Sequence, residues 1–215
     1  MYKYVLFDLD GTITDSSAGV VRCFKLSLDY FGVKAEDDFL RERVIGPPLT
    51  FSYKTYFGFD DAMTEKAIGI YRAEYSTKGL HEFKMYDGLD VLFKKLYESG
   101  CHVVLATSKP EVFSSQILED ADVKKYFYFI SGAELSSTGR NKKTDIMRYA
   151  LEQCGIKKEE VIMVGDTKFD VDSSVDLGIP CIGVTYGFGS RKELEEHGAD
   201  FVVDSVEELS DILLK

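Results

Sequence analysis

The sequence has few of the residues that form zinc sites and disulfide frameworks. Its three histidines are His81, His102 and His197, and its four cysteines are Cys23, Cys101, Cys154 and Cys181. No histidine lies at a helical i, i+4 spacing from another, and no two cysteines have a Cys-x-x-Cys spacing. A histidine zinc site is therefore disfavoured. We expect reduced thiols, as in a cytoplasmic protein.

Long apolar runs and an excess of positive charge are also missing. No stretch approaches the roughly 20 apolar residues that span a bilayer, and the apolar start of the chain meets Asp8 and Asp10 too soon for a signal peptide. The 26 Lys and Arg against 37 Asp and Glu give a formal net charge of −11, which repels nucleic-acid phosphates and anionic membranes. We expect neither as a partner, and local positive groups must meet any anionic substrate.

Short β-prone runs alternate with amphipathic helical patterns, which is typical of a parallel sheet with crossover helices. Strands are predicted at 4–7, 102–106, 128–131, 161–164, 181–185 and 201–203, and helices at 16–32, 89–99, 110–119, 143–154, 170–177 and 191–197. Between 16 and 82 the patterns are helical, with the strongest break at Gly46-Pro47-Pro48. We predict an α/β fold with a parallel-sheet core (1–15 and 83–215) and an inserted all-helical domain (16–82).

Polar residues follow three of the predicted strands, where ligands of open parallel sheets bind. These segments are Asp8-Leu9-Asp10-Gly11-Thr12, Thr107-Ser108-Lys109 and Gly165-Asp166-Thr167-Lys168-Phe169-Asp170. An all-oxygen cluster of carboxylates suits a hard cation such as Mg²⁺, and Asp8, Asp10 and Asp166 are the candidate cage. Because Mg²⁺ keeps water and phosphate oxygens, not every one of these aspartates need be a direct ligand.

These segments, with Lys143 between the second and the third, resemble the motifs of haloacid dehalogenase superfamily phosphatases, in the same order and over essentially the whole chain. The helical insert is similar to the type I cap of that family. The resemblance implies a Rossmann-like core and Mg²⁺-dependent hydrolysis of a small phosphomonoester through an aspartyl phosphate. Within the family, the sequence resembles phosphoglycolate-phosphatase-like and 5′-nucleotidase-like members.

The resemblance also implies a role for each motif residue. Asp8 is the expected nucleophile, and Asp10 the acid that protonates the leaving oxygen and then deprotonates water. The family uses the backbone carbonyl at the Asp10 position as a metal ligand. Thr107 and Lys143 are expected to bind the phosphoryl group, and Asp166 to bind the metal.

The residues next to these positions complete the expected site. We expect Leu9, Gly11, Thr12 and Ser108 around the phosphate, with Gly11 allowing a sharp turn and a close backbone approach. Asp170 is expected to hold a metal-bound water or Lys143, although a plain helix cap is its simpler interpretation. Lys142 competes with Lys143 for the phosphate.

Other functions remain open at this point. A sugar-phosphate mutase shares the motifs and the cap, and a non-enzymatic phospho-accepting receiver module also forms an aspartyl phosphate. A dehalogenase does not need Asp10, whereas a phosphonatase would use a cap lysine, for which the candidates are Lys25, Lys34, Lys54, Lys66 and Lys78. The physiological substrate and the choice between monomer and homodimer stay open.

Three further features of the sequence lie outside these motifs. Pro47-Pro48, with Arg41, Arg43 and Lys54 nearby, is the candidate specificity region of the insert. Gly187-Phe188-Gly189 is interpreted as a flexible loop, because the dinucleotide fingerprint is not completed. The insert aromatics are expected in its core rather than stacked on a base, and they include Tyr53, Tyr56, Phe57 and Phe59.

Overall fold

The computed structural model describes residues 2–136 and 139–215, which form both strands and α-helices. The strands are β1 Tyr4–Phe7, β2 Thr14–Asp15, β3 Lys84–Met85, β4 His102–Pro110, β5 Phe127–Ala133, β6 Val161–Gly165, β7 Cys181–Val184 and β8 Phe201–Val203. The α-helices are α1 Ser17–Tyr30, α2 Asp37–Arg43, α3 Leu49–Phe57, α4 Asp61–Tyr75, α5 Leu89–Glu98, α6 Glu111–Asp120, α7 Lys143–Cys154, α8 Lys168–Leu177, α9 Arg191–His197 and α10 Val206–Leu213.

Six strands form one parallel sheet in the order β5-β4-β1-β6-β7-β8. β1 is central, and it pairs with β4 from Tyr4↔His102 to Phe7↔Leu105 and with β6 from Tyr4↔Val161 to Phe7↔Val164. All of β1 is buried, as expected for a parallel strand covered on both faces. The predicted α/β class, with its Rossmann-like parallel sheet, is confirmed.

Successive side chains of β1 enter two separate cores. Val5 and Phe7 belong to one apolar cluster, which also contains the helical segment between β2 and β3, whereas Tyr4 and Leu6 belong to a second cluster, on the other face. This alternation follows from the period of two in a strand. The sheet is therefore the middle layer, and its carboxyl edge is the place where residues from several strands can meet.

Helices α1 to α4 lie between two short strands that pair with each other. β2 and β3 are antiparallel, with Thr14 opposite Met85 and Asp15 opposite Lys84, so both connections of the helical segment run side by side. The sequence did not predict this pair, because two-residue strands show no alternation. It also missed α10, although Ser205 caps the nitrogen of Glu208 in the usual serine cap pattern.

The interior of the helical segment is aromatic, as expected. Tyr53 and Phe59 are buried, and the ring of Tyr53 stacks on Phe24 at 4.8 Å. The break at Pro47-Pro48 separates α2 from α3. The four cysteines are free thiols, and three of them are buried. Among the described helices, none has the length and apolar character that a membrane crossing needs.

Candidate active site

The expected strand-end residues meet at the carboxyl edge of the sheet. Asp8 follows the central strand β1, Thr107 lies near the end of the neighbouring β4, and Asp166 follows β6 on the other side. Asp170 lies in the first turn of α8. The three aspartates and Thr107 are buried, so their polar atoms are shielded from solvent.

Three carboxylates form the acidic cluster, and one ammonium lies against it. Oxygens of Asp8, Asp166 and Asp170 all lie within 4.8 Å of one another. The Lys143 Nζ atom lies 2.6 Å from Asp8 Oδ1 and 2.6 Å from Asp170 Oδ1. Lys143 is buried at the first position of α7, whereas Lys142 is exposed. Of the two lysines, the geometry therefore places Lys143 beside Asp8.

The pKa values of the cluster reflect burial and crowding. Burial raises the pKa of Asp8 to about 6; the Asp170 charge adds to this rise, and the Lys143 charge opposes it. Burial, together with the charges of Asp170 and Asp8, holds the pKa of Asp166 well above its ordinary value. Burial alone would lower the pKa of Lys143, but Asp170 and Asp8 outweigh it and raise the pKa. Lys143 is therefore charged, and it is one cation among three carboxyl groups.

The donor set of this cluster fits a hard divalent cation such as Mg²⁺. All of its candidate ligand atoms are carboxylate oxygens, and all three residues are buried. The cluster differs from the expected cage, because Asp170 belongs to it and the carboxylate of Asp10 does not. Asp8 and Asp166 are the residues that would hold the ion, because both oxygens of Asp170 already have partners, Lys143 at Oδ1 and Thr167 at Oδ2, whereas Lys143 contacts only Oδ1 of Asp8.

Asp170 combines a structural and an electrostatic contact. Its Oδ2 accepts hydrogen bonds from the backbone nitrogen of Thr167 at 3.1 Å and from the Thr167 hydroxyl at 2.9 Å, as half of a capping box for α8. Its Oδ1 faces Lys143. The helix cap and the expected Lys143 contact are therefore both present, and the cap fixes the carboxylate that orients the lysine.

The Asp10 carboxylate points to a different partner. Its Oδ2 lies 3.0 Å from the Nζ atom of Lys109, which also donates to the Tyr75 hydroxyl at 2.6 Å. Burial alone would lower the pKa of Lys109, but the charge of Asp10 and the contacts with Tyr75 together outweigh it and raise the pKa, so this ammonium is charged as well. The sequence analysis placed Lys109 in a strand-end segment but assigned no role to it, and no sequence motif pointed to Tyr75.

Asp166 is held from two sides by backbone and hydroxyl groups. The backbone nitrogen of Phe188 donates to Asp166 Oδ2 at 2.8 Å, and the Thr12 hydroxyl donates to Oδ1 at 3.3 Å. Gly11 has φ +86, and a Cβ there would lie 2.0 Å from Asp166 Oδ2. Thr12 therefore orients Asp166 in this structure, and Gly11 lets the loop after β1 pass close to that carboxylate.

The Gly187-Phe188-Gly189 segment packs tightly against this loop. A Cβ on Gly187 would lie 2.2 Å from the Gly11 carbonyl oxygen, and one on Gly189 would lie 1.9 Å from the Asp166 carbonyl oxygen. The interpretation of this segment as an ordinary flexible loop missed that contact, because the sequence does not show which backbone it approaches. The segment forms a wall of the site.

Leu9, Thr107 and Ser108, the other residues expected around the phosphate, lie outside the acidic cluster. Leu9 is fully buried in the apolar core, so only its backbone could face a phosphate. The Thr107 hydroxyl oxygen accepts a hydrogen bond from the Lys109 backbone nitrogen at 3.3 Å. Ser108 is half-buried and faces a cleft beside the site.

This cleft separates the strand ends from the helical segment and has a volume of about 70 Å³. On the sheet side it is lined by Asp10, Ser108 and Lys109, and on the helical side mainly by apolar residues, including the 44–49 loop, with Tyr71, Arg72 and Tyr75 from α4. The predicted Pro47-Pro48 turn therefore faces the candidate site.

The positive groups expected in the cleft lie elsewhere. Arg41 pairs with Asp15 at 2.8 Å, and Lys54 pairs with Asp61 at 2.5 Å. Neither these two nor Arg43 is among the lining residues found in the described part of the chain, whereas Arg72 is. None of the five candidate Schiff-base lysines lines the cleft among the described residues either.

Comparisons with known proteins identify relatives of this chain. Residues 5–184 match the sequence profile of haloacid dehalogenase-like hydrolases. A 5′-nucleotidase of Pseudomonas aeruginosa is 37% identical over 196 residues, which cover 91% of this chain and 88% of that protein. A tyrosine-protein kinase of Mycobacterium tuberculosis, PtkA, is 32% identical over 213 residues, which cover 98% of this chain and 72% of that protein.

A phosphoglycolate phosphatase of Pseudomonas savastanoi is 28% identical, over 96% of this chain and 78% of that protein. Among solved structures, a predicted phosphatase from Clostridium acetobutylicum superposes with a TM-score of 0.96 at 44% identity, covering 100% of this chain and 99% of that one. With the profile match over most of the chain and the strand-end geometry, these similarities show that the chain belongs to the haloacid dehalogenase-like hydrolase family.

Proposed function

We propose that this protein is a Mg²⁺-dependent phosphatase that hydrolyses a small phosphomonoester through an aspartyl phosphate on Asp8. The observation that carries the proposal is the contact of Lys143 with Asp8 Oδ1, beside Asp166 and Asp170 in one buried cluster. That contact places an ammonium directly beside the carboxylate that would attack the phosphorus atom. Above a pH of about 6 the carboxylate is ionised, as a nucleophile must be.

In the first step Asp8 attacks the phosphorus atom of the substrate. The new Asp8 oxygen–phosphorus bond forms as the bond to the leaving oxygen breaks, and Asp10 gives its proton to that oxygen. Lys143 and the Thr107 hydroxyl would stabilise the charge on the phosphoryl oxygens. In this role Lys143 is held by Asp170, so the ammonium is already in place before substrate binds.

In the second step a water molecule attacks the phosphorus atom of the aspartyl phosphate. Asp10, now a carboxylate, accepts a proton from the water, the Asp8 oxygen–phosphorus bond breaks, and inorganic phosphate leaves. Asp8 and Asp166 would hold the Mg²⁺ ion, which when bound supplies positive charge against the phosphate oxygens. The cycle restores the protonated Asp10 and the free Asp8 carboxylate.

The helical segment 16–82 would act as a cap domain that selects the substrate. It supplies the Pro47-Pro48 turn and Arg72 to the cleft, and its two connections run together as the β2–β3 pair. The cleft volume of about 70 Å³ is below the roughly 300–1,000 Å³ of pockets for drug-sized ligands. A small phosphomonoester therefore suits this site better than a phosphorylated protein.

Steady-state phosphate release from a phosphomonoester panel tests the proposal. The panel includes 4-nitrophenyl phosphate, alkyl phosphates, 5′-nucleotides and phosphoglycolate, each with Mg²⁺ and with a chelator. We expect many turnovers with Mg²⁺, and losses of at least about 100-fold in Asp8→Asn and in chelator. Full activity of Asp8→Asn, or full activity in chelator, would overturn the mechanism.

The same measurement separates the rival functions. A receiver module would release at most one phosphate per chain, whereas a sugar-phosphate mutase would return the phosphoryl group to a bound sugar and release little. A helical-segment variant such as Arg72→Met should change the order of preferred substrates more than the Mg²⁺ requirement. An unchanged order would remove the cap from substrate selection.

A further inference from the structure

Lys109 is a buried charged residue that the proposed reaction steps leave unused. Its side chain is only 6% exposed, and its Nζ atom contacts Asp10 Oδ2 at 3.0 Å and the Tyr75 hydroxyl at 2.6 Å. The same ammonium lies 4.6 Å from the centre of the Tyr75 ring. A buried ammonium is costly unless it is paired, so these contacts define its position.

An irregularity in β4 accompanies this arrangement. Thr107 is opposite Gly132 and Pro110 is opposite Ala133, so Ser108 and Lys109 have no register partner in β5. Irregularities of this kind often redirect a side chain beside an active site. Here the Lys109 side chain lies against the loop that follows β1, where Asp10 is located.

Tyr75, the second partner of the Lys109 ammonium, belongs to the helical segment. Tyr75 is the last residue of α4, it is buried, and its ring stacks on Tyr71 at 5.3 Å. Its hydroxyl therefore reaches the Asp10 region from the opposite side of the cleft. Among the described residues Asp10 Oδ1 is buried without a hydrogen-bond partner, so Lys109 is the side chain that fixes this carboxylate.

We propose that Lys109 and Tyr75 are positioning residues that hold the Asp10 carboxyl group for proton transfer to the leaving oxygen. Lys109 anchors one oxygen of Asp10, which leaves Oδ1 for the substrate. Tyr75 ties this anchor to α4, so that Asp10 is correctly placed only while the helical segment is docked. The proposal rests on the proposed function and adds to it a link between the two sides of the cleft.

Substrates with different leaving groups distinguish this role from phosphate binding. A 4-nitrophenolate ion leaves without much help from an acid, whereas an alkoxide requires a proton. The value of kcat/KM reports the steps up to formation of the aspartyl phosphate, so it is insensitive to later slow hydrolysis. A residue that positions the acid should therefore affect alkyl esters selectively, whereas a phosphate ligand should affect both substrates.

The experiment compares Lys109→Met with the wild type on 4-nitrophenyl phosphate and on the best alkyl phosphomonoester of the panel. We expect kcat/KM to fall about 100-fold for the alkyl ester and less than about fivefold for the aryl ester. Tyr75→Phe keeps the ring and removes only the hydroxyl, so it should show the same selectivity with about a tenfold loss. Tyr53→Phe is the matched control, because Tyr53 is another buried tyrosine of the helical segment whose hydroxyl contacts Ser27.

Each result has a defined meaning. Equal losses on both substrates would overturn the proposal in favour of direct phosphate binding, and no loss on either would remove any role in the reaction. If circular dichroism shows that Lys109→Met is unfolded, Tyr75→Phe decides, and selectivity equal to that of Tyr53→Phe refutes the proposal. If the wild type itself releases no phosphate from either ester, the proposed function fails, which is a different outcome.

Discussion

The metal-free protein should lose stability as the pH rises from about 4 to about 7. Burial raises the pKa of Asp8 from its ordinary value of 3.8 to about 6 in the folded chain. Between these values the folded chain keeps a proton that the unfolded chain has released, so the free energy of unfolding falls as the pH rises. Asp166, whose pKa is also raised, acts in the same direction.

The size of the effect follows from the difference between the two pKa values of Asp8. One pKa unit corresponds to about 1.36 kcal/mol, so the difference between 3.8 and about 6 corresponds to about 3 kcal/mol. Urea unfolding in a chelator, at several pH values in this window, measures this loss. Circular dichroism is the suitable signal, because the sequence contains no tryptophan.

The Asp8→Asn variant isolates the contribution of this carboxylate. The asparagine at position 8 does not titrate. The free energy of unfolding of the variant should therefore fall by about 3 kcal/mol less than that of the wild type over the window. Added Mg²⁺ should stabilise the wild type more at pH 7 than at pH 5, since the ion and protons compete for the same oxygens. Parallel pH curves for the two proteins would refute the reasoning.

Four further substitutions, one of them a control, test individual contacts. Lys143→Met should lower kcat at least about 100-fold, because both 2.6 Å contacts are lost, whereas the exposed Lys142→Met should stay near wild type; the reverse ranking would assign the phosphate to Lys142. Asp170→Asn should lower kcat about tenfold with little change in KM, since Lys143 loses one of its two anchors; an equal rise in KM would argue against this. Gly11→Ala should destabilise the fold by about 3 kcal/mol in urea unfolding, because φ is +86 and the new Cβ meets Asp166; an unchanged midpoint would contradict the contact.

The sheet and most helices were predictable because their signals are local. β1, β8, α7 and α9 have the predicted bounds, since apolar runs and terminal glycines mark them. Asp8 and Asp166 of the acidic cluster were also predictable, because the carboxyl ends of parallel strands share one edge, whereas Asp10, which was expected in the cage, pairs with Lys109 instead. The β2–β3 pair was missed because two-residue strands carry no periodic signal. Helix α10 was missed because Ser205 was not interpreted as its N-cap.

The partners of the candidate catalytic groups were harder to predict. Lys109 meets Tyr75 across the cleft, and the Phe188 backbone meets Asp166, at separations in sequence that no local pattern records. The positive group of the cleft was also misplaced: Arg41 pairs with Asp15, whereas Arg72 lines the cavity. Residue type and spacing indicate the groups that do chemistry, but their supporting contacts depend on how the helical segment packs against the sheet.

The central place of β1 has a consequence for the order in which the chain matures during synthesis. Its two neighbours are encoded much later, since β4 begins at His102 and β6 at Val161. Ribosomes add about 5–20 residues per second, so β1 emerges many seconds before it can be enclosed on both sides. Helices α1 and α4 contact each other over a shorter sequence distance and can pack earlier. The site around Asp8 is therefore completed late, and a nascent chain that ends before Val161 should have the helical segment but no activity.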